Sequence, residues 1–112
     1  MNRFVAEGIA AEATEGKKVV YCGRRVEGLE LRDQIEHLCG EHLARVTKTN
    51  GREEITTVSG GRVIFAASPS RLRGHTADVV FIDYSADQGS LSQEWLENAV
   101  IATATGGSVI RA

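Results

Sequence analysis

The chain has 112 residues, 42% of them hydrophobic and 25% charged, which is the size and make-up of one globular domain, residues 1–112, able to bury roughly two-thirds of its unfolded surface. A net charge of −2 and a pI near 5.9 exclude a general polyanion-binding surface, although a local basic patch stays open. No apolar run approaches the roughly 20 residues that span a bilayer, and the N-terminus lacks a signal-peptide core. Cys22 and Cys39 read as free thiols of a reducing compartment, so the cytoplasm is the expected location. His37, Cys39 and His42 form a lone H-x-C-x-x-H, too sparse for a zinc site, and no metal or other cofactor is expected.

The opening, Asn2 to Glu15, is rich in Ala and Glu, and Val5, Ile9 and Ala13 recur at helical spacing. Gly16 stands where a helix C-terminus places glycine. "VVYC", Val19 to Cys22, is a strand-type run closed by Gly23. Gly28 to Leu43 reads as an amphipathic helix with Leu31, Ile35, Leu38 and His42 on one face.

The period then changes. Val46–Thr49, Glu54–Val58 and Arg62–Ala67 are β-type runs separated by Asn50-Gly51 and Gly60-Gly61, dipeptides that suit two-residue hairpins. A β-meander is predicted. "SPSRLRGHT" reads as a polar loop carrying the one proline, Pro69, with His75 exposed in it. Ala77 to Asp83 is a near-continuous apolar strand of the kind buried on both faces of a parallel sheet. Ser90 and Gln93 form a capping box for a helix from Leu91 to about Thr103, its core face made of Leu91, Trp95, Ala99 and Ala102. Gly106-Gly107 ends it, and Val109 to Ala112 begins another strand. The fold class that follows is a small three-layer α/β domain, a partial parallel sheet of at least three strands with right-handed crossovers plus an antiparallel β-meander.

"RGHTADVVFIDYSA", Arg73 to Ala86, carries the chemistry: four apolar residues run into Asp83. With "GKKVVYCGRRVEGLELRDQIEHL" and "GGRVIFAASPSRLRGHTADVVFIDYSA" in this order, the chain resembles the ATPase domain of phage terminase large subunits, helicase-like motors of the P-loop class. In that resemblance Asp83 is the Walker B aspartate, and residues 1–112 are one continuous piece of the domain. It also implies a sheet ordered last strand, Walker-B-like strand, first strand.

Two departures decide the expected function. The phosphate-cradling loop G-x-x-x-x-G-K-[ST] occurs nowhere in the sequence, and its one Gly-Lys, Gly16-Lys17, lies between helix and strand. The residue after Asp83 is Tyr84, where the family often has the water-activating glutamate. A phenol is a poor general base at neutral pH compared with a carboxylate. The expectation is therefore a vestigial Walker B pair, Asp83 and Tyr84, and a protein that is not an enzyme. The initial Met, falling where the helix after the P-loop would begin, is read as the start of a short gene.

Asp83 as a lone metal ligand is a weaker reading than Asp83 accepting backbone hydrogen bonds at a turn. Asp78 and Asp87 read as strand-start and loop residues. The implied edge strand, Val109, Ile110 and Arg111, would leave N–H and C=O groups unpaired, so a protein partner or a second copy is expected there. Arg24, Arg25, Arg71 and Arg73 fall in two loops, either as contacts to nucleic acid or a partner or as charges paired with Glu27, Glu30 and Asp33. The leading reading is a non-catalytic, phage-type binding protein. A nucleic-acid module using the arginine loops and an ATPase subunit completed by another chain are the alternatives.

Overall fold

The computed structural model describes residues 3–49, 52–84 and 92–111. Its elements follow in chain order as α1 (Arg3–Thr14), β1 (Lys18–Cys22), α2 (Arg25–Cys39), a 3-10 turn (Gly40–His42), β2 (Leu43–Thr47), β3 (Glu54–Thr57), β4 (Arg62–Ala66), α3 (Pro69–Leu72), β5 (Val79–Ile82), α4 (Ser92–Ala102) and β6 (Ser108–Arg111). All six strands join one sheet, ordered β2-β3-β4-β1-β5-β6. β4, β1, β5 and β6 are mutually parallel, and β2-β3-β4 is an antiparallel meander sharing β4 with the parallel part. The expected order of last, Walker-B-like and first strand is the observed β6-β5-β1.

Alternation along β1 generates the three layers. Val19 and Tyr21 point into a core closed by Ala6, Ile9, Ala10 and Ala13 of α1 and by Leu31, Ile35 and Cys39 of α2. Val20 and Cys22 point the other way, onto Leu72, Trp95, Ala99 and Ala102 of α3 and α4. Burial on both faces explains why these strands read as unbroken apolar runs. Trp95 is a core anchor, as its helical register implies, and Cys22 packs within the sheet.

The helix predicted over Gly28 to Leu43 is shifted in the structure. α2 starts at Arg25 and stops at Gly40, whose φ of 51° is favourable for glycine. Its buried face is therefore Gly28, Leu31, Ile35 and Cys39, while Leu38 and His42 are exposed. β2 begins earlier than predicted, at Leu43, because the chain turns into the sheet directly after the 3-10 turn. Thr47 pairs with Glu54, so residues 48–53 separate the strands instead of a two-residue loop; Asn50 and Gly51 lie outside the described residues. The presumed loop after β4 holds the short helix α3, with Pro69 in its first turn, where a missing N–H costs nothing. Leu91, Asp87 and the Ser90 side of the capping box lie outside the described residues.

The β3–β4 turn also departs from the two-residue form. Thr57 N–H donates to the Gly61 carbonyl at 2.9 Å, leaving residues 58–60 as the loop, with Gly60 at φ 90°. The turn is fixed by its neighbour. Thr57 Oγ1 donates to the carbonyl of Ala13 at 2.8 Å, satisfying an acceptor of the last turn of α1. A Cβ on Gly61 would lie 1.8 Å from that same carbonyl. Replacing Gly61 with Ala should push the hairpin off α1 and cost about 1–3 kcal/mol or more, read by urea denaturation; an unchanged midpoint would refute this contact.

Tyr21, Phe65 and Phe81 are register partners on β1, β4 and β5 and form an aromatic row. Tyr21 sits 5.9 Å from Phe81, stacked, and 6.1 Å from Phe65, tilted. The Tyr21 hydroxyl is buried close to the Asp83 carboxylate. Burial, and secondarily the charge of Asp83, pushes its pKa upward. An unfolded tyrosine ionises near pH 10, so folding stability is intact below that pH and falls as pH rises past it. Tyr21→Phe keeps the ring and removes the ionisable hydroxyl. Stability at neutral pH should change by no more than about 1–2 kcal/mol, and the loss on the alkaline side should become shallower in pH-dependent melting. An alkaline limb as steep as that of the wild type would mean that another group governs it.

Candidate functional site

The parallel strands deliver their C-terminal ends to one edge of the sheet, where open α/β sheets present ligand-binding groups. There Asp83 N–H donates to the Cys22 carbonyl at 2.8 Å and Gly23 N–H to the Ala66 carbonyl at 3.2 Å, carrying the ladder past the strand ends. Gly23 is required at this crossing because a Cβ would lie 2.6 Å from the Tyr21 hydroxyl. Asp83 is half-buried, as a residue that ends a covered strand and starts a turn should be. Tyr84 follows in the turn and is 70% exposed.

The nearest charges form a small cluster. Arg24 occupies the N-cap position of α2 in an extended conformation and turns its guanidinium onto Glu27, with Nε 3.2 Å from Oε2. That hydrogen bond, and more weakly the charge of Asp83, raises the arginine pKa, while Arg24 holds Glu27 below the usual carboxylate range. Asp83 thus feels a cation and a buried phenol. Among the described residues no group of three His, Cys, Asp or Glu side chains converges to hold a metal. The carboxylate can accept hydrogen bonds or balance a cation; activating water would require further groups around it.

The loop arginines are largely tied to acids. Besides the Arg24–Glu27 pair, Arg25 lies in the first turn of α2, 3.5 Å from the buried Glu53, and Arg73 lies 3.6 Å from Glu94 of α4. Arg71 is exposed in the last turn of α3. Glu27 is thus a partner that the sequence pointed to, Asp33 pairs with Arg32 instead, and Glu53 and Glu94 come from distant elements. His75, expected to be exposed, is half-buried with Nδ1 3.4 Å from Lys18 Nζ. Burial first, then the positive charges of Lys18, Arg62 and Arg71, lowers its pKa.

The second feature is the flank of the sheet at β6. Among the described residues no strand lies beyond it. Ser108 N–H donates inward to the Asp78 carbonyl at 2.9 Å. By the alternation of a parallel ladder, the N–H and C=O of Ser108 and Ile110 face β5, and those of Val109 and Arg111 face outward. Apolar side chains line this edge. On the α1 side an open cleft is walled by Phe4, Val5, Ile9, Val79, Phe81 and Ile110, with Phe4 78% and Ile110 45% exposed. On the other side Val109 packs against the Trp95 core. Trp95 and Ala99 of α4 face inward, and Leu96, Val100 and Ile101 line its outer surface. The sequence marked Val109, Ile110 and Arg111 as an edge. It did not mark Phe4, whose signal was its place outside the Ala6–Ile9–Ala10–Ala13 stripe.

No family model matches the sequence, and no curated protein does either. Solved structures do match. The large terminase of a thermophilic bacteriophage, in complex with ADP, superposes with a TM-score of 0.60 at 15% identity over 96% of this chain. The large terminase ATPase domain of Thermus phage P74-26 superposes with a TM-score of 0.57 at 15% identity over 99%. The present chain spans 29% and 55% of those two chains. Identity at this level speaks for architecture alone: this chain shares the α/β architecture of part of the phage large terminase ATPase domain.

Proposed function

We propose that this chain is a non-catalytic, phage-type protein built on a terminase-like ATPase fold, which acts by binding protein through its β6 flank. The observation that carries this reading is the exposed Ile110 of β6 beside the apolar cleft walled by Phe4, Val5 and Ile9. Single exposed apolar residues are ordinary on any surface. A contiguous apolar set along a strand at the flank of a sheet is the usual mark of an interface. Tyr84, a phenol in the position after Asp83, supports the non-catalytic half of the proposal, since it is a poor general base at neutral pH. The carboxylates held against Arg24, Arg25 and Arg73 weigh against the nucleic-acid reading, since a phosphate would have to displace them. No helix among the described residues is long and apolar enough to cross a membrane, in keeping with action in the host cytoplasm.

Two experiments test this. Titration with Mg-ATP and a phosphate-release assay should show neither binding nor turnover, and Asp83→Ala should behave as wild type; turnover that vanishes in Asp83→Ala would restore an enzyme. In affinity capture from host or phage-infected extracts, wild-type bait should retain a protein that Ile110→Lys bait loses while Arg71→Ala bait keeps it. Capture unaffected by Ile110→Lys, or steeply salt-dependent DNA binding lost in Arg71→Ala, would move the function away from this edge.

A further inference from the structure

The first turn of α2 leaves a half-open slot over the C-terminal ends of β1 and β4. Tyr21, Gly23, Gly28, Leu29, Glu53 and Phe65 wall it, and the exposed Arg24 and Arg25 border it. The space inside is about 20 Å³, room for one water-sized group. Gly28 is its roof. A Cβ at this position would meet Tyr21 Cε1 at 3.8 Å and Phe65 Cδ1 at 3.9 Å, which are ordinary contacts, and the residue is not in the left-handed region. Neither packing nor backbone conformation calls for glycine here, and within a helix glycine is unfavourable relative to alanine. The missing methyl group keeps the slot open.

Glu53 supplies one polar end. Its side chain is only 8% exposed, and its Oε1 accepts no hydrogen bond among the described residues; Arg25, itself half exposed, approaches it to 3.5 Å. A carboxylate so shielded from water calls for donors. The Tyr21 hydroxyl, beside Asp83, marks the β1 side. Burial first, and then the negative charges of Asp83 and Glu27, raise its pKa, so the potential at this side is negative too. A phenol that donates to Asp83 keeps lone-pair capacity for another donor. We propose that this slot binds a primary alkylammonium, whose head hydrogen-bonds the Glu53 carboxylate and the Tyr21 hydroxyl while its methylene stem lies against Leu29 and Phe65. An ammonium head is water-sized and carries three donors. A guanidinium is too broad for the space, and a quaternary ammonium has no N–H to give. The slot lies on the opposite side of β1 from β6 and is separate from the β6-flank binding proposed above.

Titration of the whole chain with n-butylammonium, followed by amide chemical shifts at constant ionic strength, tests this. Saturable shifts are expected at Gly23, Gly28 and Glu53, with a dissociation constant on the order of 1–10 mM for so small a ligand. Tetramethylammonium should produce none. Gly28→Ala is the selective variant: its methyl group fills the roof without a clash, so the melting temperature should hold or rise while affinity falls at least tenfold. Glu53→Gln should lose at least tenfold as well, with circular dichroism checking that each variant is folded. Wild-type shifts that do not saturate by about 100 mM, equal shifts from tetramethylammonium, or unchanged affinity in either folded variant would overturn the inference. Nα-acetyl-lysine methylamide then separates the sources of the ammonium. Binding at least tenfold tighter than n-butylammonium identifies a lysine side chain of a protein partner, and equal or weaker binding identifies a free amine.

Discussion

The structure depends on one constraint: β1 has to be covered on both faces and paired on both edges. Val19, Val20, Tyr21 and Cys22 are each fully buried, which no two-layer arrangement could achieve. Alternate residues therefore demand separate helical layers, and parallel neighbours on either side demand crossovers that place those helices. α1 and α2 answer Val19 and Tyr21; α3 and α4 answer Val20 and Cys22. The same constraint sets Asp83. A strand registered with β1 through Val79–Ile82 ends beside Cys22, and the next residue leaves the sheet where its N–H can still reach the Cys22 carbonyl. The aspartate at that point needs no catalytic role to explain where it stands.

The aromatic row and Gly23 show how tightly this edge is organised. Tyr21 fills the end of the α1–α2 core between Phe65 and Phe81, and the chain passes its hydroxyl only because residue 23 has no side chain. Arg24 then pairs with Glu27 at the start of α2, and Arg25 begins that helix by approaching Glu53, which precedes β3. Charges that could have formed a basic groove instead fasten loops to neighbouring elements. Polar chemistry is thus largely consumed internally at the strand ends, while the β6 flank carries an apolar surface.

Much of this was legible from local pattern. Val79–Ile82 and Val19–Cys22 announced strands buried on both faces, and Trp95 and Ala99 marked the inner face of α4 by their spacing. The errors came where local and tertiary signals diverge. The apolar stripe running through Leu38 to His42 suggested a longer helix, but Gly40 ends α2 and frees the chain to enter β2. The glycine pair at 60–61 suggested a two-residue hairpin. Gly61 is glycine because the Ala13 carbonyl approaches it, a contact across 48 positions of sequence that no local pattern records. Pro69 suggested a loop, yet proline also suits the first turn of the helix that buries Leu72.

The sequence by itself determined the α/β class, the order of the elements and the aspartate at the end of a buried strand. Each of these is written in residues close together in the chain, as periodicity, punctuation or motif. Only the tertiary structure decided which side chains the loop arginines meet, that the meander extends the parallel sheet through β4, and that Phe4 and Ile110 wall one cleft. Those facts depend on which residues distant in sequence come together, and a chain read one segment at a time carries no record of its neighbours in space.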